Sequence, residues 1–400
     1  MPPQDKKIPA LDFRALPKIE LHAHLSGSIS RQCLHEVWLM KKEAGETDLQ
    51  DPLVVMPPGK HDYDLKTFFP LFSSYIYNLV NDAAALRYTT LSVLRDFAAD
   101  GVVYLELRTT PRPMPAAGIT AADYVRTILD TIAEYELSQA AAPEPKLHTN
   151  LILSIDRRDS PDRALATLSL ARQFSSSYPH PTTTTTSSSS SSTSPSDLRT
   201  PRVVGLDLCG DPSVPLAPHL SDLFRSLRRC PPHPARPGHL GLTLHFAEAA
   251  CSASDAELDE LLGWRPDRLG HVICVGERVK REIIRRGRLA GEKEEGGGEG
   301  ERKRIGLELC LSCNVHAGMV SGGFEGHHFG EWWNVPETVV VLSTDDVGVF
   351  GSPLSNEYAL VAQHFGLDRA EICALARRGI DVIFGGEGEK ERLRNILWTE

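Results

Sequence analysis

The feature that most constrains this chain is one alternation repeated eight times. A short, nearly continuous apolar run is followed by a stretch with helical patterning. The runs are IELHAHL (19–25), VVYLELR (102–108), LHTNLILSID (147–156), VVGLDLCG (203–210), LTLHFAE (242–248), RLGHVIC (268–274), IGLELCLS (305–312) and VVVLSTDD (339–346). Most are rich in Val, Ile and Leu with little polar alternation, as strands buried on both faces of a parallel sheet are. Between and after them lie 83–100, 120–139, 160–174, 253–264, 276–287, 355–366 and 368–384, each patterned as a helix. Eight such repeats predict an α/β protein built as a (β/α)8 barrel, one domain over residues 1–400. An open doubly wound sheet explains the alternation as well. Only a closed barrel brings the first and eighth runs side by side.

In such barrels the chemistry sits where the strands end. Here the polar residues gather at those ends: His22, His24, Glu106, Arg108, Asp207, Asp211, His245, Glu248, His271, Asp345 and Asp346. Residues i and i+2 of a strand share a face, so His22 and His24 can grip one ion from one side. Taken alone, each histidine is more often a hydrogen-bonded core residue than a ligand. Together, three imidazoles and a carboxylate with room for water describe a catalytic zinc site, and hence metal-assisted hydrolysis.

Composition narrows the class. A formal net charge of −10 argues against a general nucleic-acid or membrane-surface binder. The first residues, MPPQDKKIPALDF, lack the apolar core of a signal peptide, and no apolar run approaches the roughly 20 residues that span a bilayer. The eight cysteines are scattered, five of them in or beside the apolar runs, which fits reduced thiols and a cytoplasmic protein. Cys310 and Cys313 form a lone C-x-x-C, read as packing plus loop for want of a second such pair.

Two segments read as disordered insertions: 175–197, which is Ser/Thr-rich with Pro, and 291–304, which is Gly-rich and charged. Both join a helix to the next strand, opposite the expected chemistry. The long connection 30–82 carries Phe68, Phe69, Phe72, Tyr75 and Tyr77, suited to a lid over an apolar ligand.

HAHLSGS (22–28), LHFAE (244–248), RLGH (268–271) and STDD (343–346), in that order, resemble the motif set of the adenosine/AMP deaminase group of the amidohydrolase superfamily. The resemblance runs from residue 16 to about 384. It implies one zinc ion per chain on His22, His24, His245 and Asp345, with the pKa of a bound water lowered to roughly 7. It further implies that His271 orients that water, that Asp346 accepts a hydrogen bond on the attack side or meets purine N7, and that Glu248 protonates N1. The backbone N–H of Gly210, in LCGDP, would meet N3. The cytidine-deaminase signature, with its P-C-x-x-C, does not occur. Nor does VVGLDLCG carry the lysine of binuclear members, which favours a single metal.

Departures from the family pattern point to the substrate. Adenosine deaminases carry aspartate where this chain has Ser26, and adenine deaminases carry glutamate; either would repel a 5′-phosphate. The branch that acts on N6-methyl-AMP has an uncharged residue there, an H-x-x-E without glycine, and a following H-H-x-G-x-W. This chain reads HFAE (245–248) and HHFGEW (327–332). LRTTPR (107–112) also resembles that branch and offers Arg108, Thr109, Thr110 and Arg112 as phosphate donors, although Arg108 could instead pair with Glu106 inside the barrel. The expectation is hydrolytic deamination of N6-methyl-AMP or a similar nucleotide to IMP by a monomeric enzyme with a small-molecule partner. Adenosine or adenine deamination is the runner-up. A zinc phosphoesterase and an inactive binding protein on the same fold are the more distant alternatives.

Overall fold

The computed structural model describes residues 11–61, 63–142, 145–175, 201–227, 240–289 and 304–399. Eight strands form one sheet: β1 (Lys18–His24), β2 (Val102–Thr109), β3 (His148–Asp156), β4 (Val203–Cys209), β5 (Gly241–Phe246), β6 (Arg268–His271), β7 (Ile305–Leu309) and β8 (Thr338–Leu342). Neighbours follow sequence order and pair in parallel. Just beyond β8 the chain meets β1. The His24 N–H donates to the Asp345 carbonyl at 2.9 Å, and the Asp345 N–H to the His22 carbonyl at 2.7 Å. This contact brings the first and last candidate ligands together, as a (β/α)8 barrel requires and an open sheet does not.

β2, β4, β7 and β8 are buried at every residue, which explains their unbroken apolar reading. The helices lie close to their expected ranges, with caps the sequence contains. Asp82 accepts from the Ala85 N–H ahead of Ala83–Ala99, and Thr120 with Asp123 forms a reciprocal capping box ahead of Ala121–Ser138. Their inward faces, such as Ile128, Leu129 and Ile132, pack against the barrel and join one continuous core. No helix among the described residues is long and apolar enough to cross a membrane.

Four of the runs stop being strand two or more residues earlier than their apolarity suggests, β5 at Phe246 and not Glu248 among them. β6 ends at His271 and not Cys274, β7 at Leu309 and not Ser312, and β8 at Leu342 and not Asp346. The cause is local backbone. His271, Val272 and Asp345 take φ of 64°, 58° and 60°, as does Ala247 at 50° just past β5. Left-handed conformations cost non-glycine residues of order 1–3 kcal/mol each and break the ladder. Beyond β7 the chain turns directly into the helix Leu311–His316.

Inside the barrel, below these ends, lies a layer of paired charges. Glu308 meets Arg268 at 2.6 Å and Arg108 at 2.8 Å, and accepts from Thr243 at 2.9 Å. Arg268 also pairs with Glu106 at 2.6 Å, so the expected Arg108–Glu106 pair is replaced by Arg108–Glu308 and Arg268–Glu106. β2 places Arg108 one step further along the barrel than Glu106, level with β7 and β4 carboxylates. The connection 30–82 folds into the helices Arg31–Glu43, Pro52–Val55 and Leu65–Leu71, a π-helical turn Phe72–Ile76, and Tyr77–Leu79. Both expected insertions lie outside the described residues apart from Ser175 and Arg304.

Candidate active site and metal centre

At the C-terminal mouth of the barrel, β1, β5, β6 and the turn after β8 aim five metal-binding side chains at one point. His22 Nε2 lies 3.2 Å from His245 Nε2, and His24 Nε2 lies 3.1 Å from the same atom. Asp345 Oδ1 is 3.4 Å from His22 Nε2 and 3.5 Å from His24 Nε2. His271 approaches Asp345 Oδ2 at 3.9 Å. Ligand atoms of His22, His245, His271 and Asp345 all lie within 4.8 Å of one another. The expected set had His24 in place of His271, so five candidates surround a site for which four suffice.

These residues fit a cation. The Nδ1 of His22 meets the Glu308 carboxylate at 2.8 Å, and the Nδ1 of His245 meets the Leu208 carbonyl at 2.9 Å and Asp207 at 3.1 Å. Acceptors on that side hold the ring proton on Nδ1, so both neutral rings turn bare Nε2 lone pairs toward each other. Facing lone pairs at 3.2 Å repel unless positive charge lies between them. Burial and Arg108 push the pKa of His22 down, yet Asp345 and Glu308 outweigh them and raise it, another sign that the carboxylates around the site call for positive charge.

Close approach demands small residues behind the ligands. A Cβ on Gly270 would stand 2.6 Å from His22 Cε1, and one on Gly27 would stand 1.5 Å from Asp346 Oδ1. The glycines of RLGH and HAHLSGS thus make room for a ligand candidate and for Asp346. The Cys313 thiol donates to Asp345 Oδ2 at 2.9 Å, a role that the reading of C-x-x-C as packing did not include.

Glu248 sits beside the cluster, with Oε1 3.8 Å from His271 Nε2. Burial raises its pKa to about 7, with Asp345 adding to the rise and His245 opposing it. A carboxyl so placed can hold a proton near neutrality and hand it over. Asp346 is raised well above the usual range by burial and by the neighbouring Asp345 and Glu248. Asp207 is held below the usual range: burial pushes it up, but His245 and Arg108 win.

Three of the cluster residues, His24, His245 and Asp345, open onto a cleft of about 880 Å3, solvent at its mouth included, which is also lined by Ser26, Gly210, Glu248 and Asp346. Phe68, Phe69, Phe72 and Tyr77 of the long connection also line it. Tyr75 does not join them; its hydroxyl turns away to the Gln50 carbonyl. Of the four phosphate-donor candidates, Arg108 reaches the cavity but is fully buried, with one nitrogen on Glu308 at 2.8 Å and on the Leu21 carbonyl at 2.7 Å. Thr109 is bonded to the Tyr124 hydroxyl at 2.7 Å. Thr110 lines the cavity, 3.7 Å from the Cys209 sulfur. Arg112 lies over the Tyr77 ring at 4.5 Å and donates to the Val80 carbonyl, behind the cavity wall. Ser73, Asp156 and Arg158 also line the cavity and were not singled out in the sequence, although Asp156 closes β3 as His24 closes β1.

Comparison with known proteins agrees with this architecture. The family model for adenosine deaminase matches residues 17–175 and 196–399. A Xenopus laevis protein named N6-methyl-AMP deaminase-L is 33% identical over 384 residues, covering 96% of this chain and 93% of its own. A crystal structure of arabidopsis N6-mAMP deaminase superposes with a TM-score of 0.74 at 30% identity, covering 96% of this chain and 97% of that one. A crystal structure of arabidopsis ADAL complexed with IMP gives a TM-score of 0.73 at 30% identity, with 96% of each chain covered.

Proposed function

The chain belongs to the adenosine deaminase family, and from that premise we propose that it hydrolyses N6-methyl-AMP, or a closely similar N6-substituted AMP, to IMP and the free amine. One water is consumed; its oxygen becomes the 6-oxo group and the C6–N bond breaks. The observation that carries this reading is the meeting, at the mouth of one cleft, of a cation-seeking His/Asp cluster and a carboxyl with a pKa of about 7. The named relatives acting on N6-methyl-AMP, and the neighbour that binds IMP, support the substrate.

In this reading His22, His24, His245 and Asp345 hold one zinc ion, which when bound makes hydroxide available near neutral pH. Glu248 delivers its proton to purine N1 and later to the departing amine. His271 and Asp346 orient the attacking oxygen, and the Gly210 N–H meets N3. The aromatic wall of Phe68, Phe69, Phe72 and Tyr77 covers the purine and excludes water. Ser26, Ser73 and Thr110 are the hydroxyls we assign to the phosphate end; Arg158 is the guanidinium, paired with Asp156 at 2.6 Å but exposed, whereas Arg108 is fully buried on Glu308. The free thiols of the seven described cysteines support a reducing compartment, and we propose a cytoplasmic monomer that returns modified AMP to the purine pool.

A substrate panel tests this. The expected order of kcat/KM places N6-methyl-AMP above AMP, adenosine and adenine. Ser26→Asp places a carboxylate where the phosphate end lies. Two unit charges ~4 Å apart at an effective dielectric of ~20 repel by about 4 kcal/mol, so nucleotide turnover should drop roughly 10² to 10³-fold, with nucleosides far less affected. A wild-type preference for adenosine, or equal losses on both substrates, turns the assignment to adenosine deamination.

A further inference from the structure

Five ligand-type residues make up the cluster, and the hydrogen bonds behind them separate His271 from His22 and His245. The Phe329 N–H donates to His327 Nδ1 at 3.1 Å. A backbone N–H can only donate, so His327 Nδ1 is bare and its ring proton sits on Nε2. Burial and the neighbouring His328 lower the pKa of His327 to about 2, which keeps the ring neutral. His327 Nε2 faces Asn314 Oδ1 at 3.2 Å, and that N–H fixes which way the amide points. The opposite end, Asn314 Nδ2, then donates to His271 Nδ1 at 3.1 Å. With Nδ1 accepting, the His271 proton lies on Nε2, the nitrogen that faces Glu248 and Asp345.

This is the reverse of His22 and His245, whose Nδ1 atoms face carboxylate and carbonyl oxygens. Those two present lone pairs to the cluster; His271 presents an N–H. Asn314 is fully buried and His327 nearly so, and His271 Nε2 has no hydrogen-bond partner in the protein, so its proton is aimed into the site. His328 adds a second hold. Its Nε2 donates to the His271 carbonyl at 2.6 Å, bracing the residue at its left-handed φ of 64°.

We propose that His327 and Asn314 are positioning residues that set the tautomer of His271, making it a hydrogen-bond donor to the attacking oxygen and barring it from service as a metal ligand. The two histidines of HHFGEW thus act together on one residue, one through the proton on its ring and the other through its backbone. The inference deepens the proposed deamination and rests on it for the identity of the attacking oxygen, but the tautomer itself can be read without turnover.

The test is 15N NMR of the full-length, zinc-loaded protein carrying ring-labelled histidine, with the His271 signals assigned by their loss in His271→Asn. The expected wild-type spectrum has His271 with a pyridine-type Nδ1 and a protonated, pyrrole-type Nε2. A protonated Nδ1 overturns the proposal, and this arm needs no folded variant other than the one used for assignment. Asn314→Asp at pH 8 is nearly isosteric but offers only acceptors to the two rings. It should move the His271 proton to Nδ1 and lower kcat roughly 10² to 10³-fold, the weight of one positioned donor, with KM little changed and metal content not reduced. Retention of the Nε2–H tautomer with kcat within about twofold of wild type also overturns it. A wild-type protein that shows the expected tautomer yet deaminates no purine refutes the substrate assignment and leaves the tautomer relay standing.

Discussion

Two layers of the same barrel, a few ångströms apart, are built to opposite rules. In the lower one, charge meets charge: Arg108 and Arg268 with Glu308, and Arg268 with Glu106, all fully buried. Although burial pushes Glu308 up, the two guanidiniums hold it well below the usual carboxylate range. In the upper one, like faces like. Imidazole nitrogens converge at 3.1–3.2 Å, and Asp345 abuts Asp346. Of the five left-handed non-glycine residues among the described residues, four, Ala247, His271, Val272 and Asp345, belong to this upper layer. Like groups facing one another on left-handed backbone, above a layer of opposite charges, are what a site built for a cation and a substrate looks like. Glu308 joins the two, because it also accepts from His22 Nδ1.

Substitutions in the two layers should therefore fail differently. The largest effect belongs to the rim. Asp345→Ala should abolish turnover and take metal content from one per chain toward zero, while the metal-free protein keeps its fold by circular dichroism. Metal retention in this variant would move the ligand assignment elsewhere. Glu248→Gln comes next. It should bind metal and substrate normally but lose roughly 10² to 10⁴-fold in kcat, the usual weight of general acid–base catalysis. Near-normal turnover would place the proton shuttle on another group.

Glu308→Gln probes the joint between the layers. Losing the carboxylate behind His22 should weaken metal binding about 10 to 100-fold. It also leaves two buried guanidiniums short of a counter-charge, which should cost about 3–5 kcal/mol in unfolding free energy. Asp345→Ala has no such stability penalty, so denaturant melts of the two variants side by side measure how separate the layers are. Equal losses of stability would merge them. The smallest effect is expected for the Ser/Thr-rich segment. Deleting most of 180–196 should leave kcat/KM within about twofold, because a polar Ser/Thr segment buries little apolar surface and loop closure depends weakly on length. A large loss of activity would tie that segment to the site.

The sequence carried the rim more legibly than its support. Histidines and aspartates at the ends of apolar runs announce themselves, and strand order alone brings the first and eighth runs together. Of the lower layer, Glu106 and Arg108 stood out at a strand end, while Glu308 in GLELC and Arg268 in RLGH were not singled out. Which arginine each carboxylate meets depends on the level at which neighbouring strands stand in the barrel, so the Arg108–Glu106 expectation failed while both residues were rightly buried. Asn314 gave no signal, because its importance lies in the direction its amide points. Tyr75 shows a similar limit: it shares the aromatic spacing of Phe68, Phe69 and Phe72, yet the π-helical turn at 72–76 rotates it away from the cavity.

The central claim is that this rim becomes a purine-nucleotide deaminase on taking up a single ion. Titration of metal-stripped full-length protein with zinc, following IMP formation from N6-methyl-AMP at each point, tests it most directly. The account predicts no turnover without metal and a rise that saturates at one equivalent per chain. Saturation at two equivalents, or undiminished turnover in the metal-free protein, contradicts it.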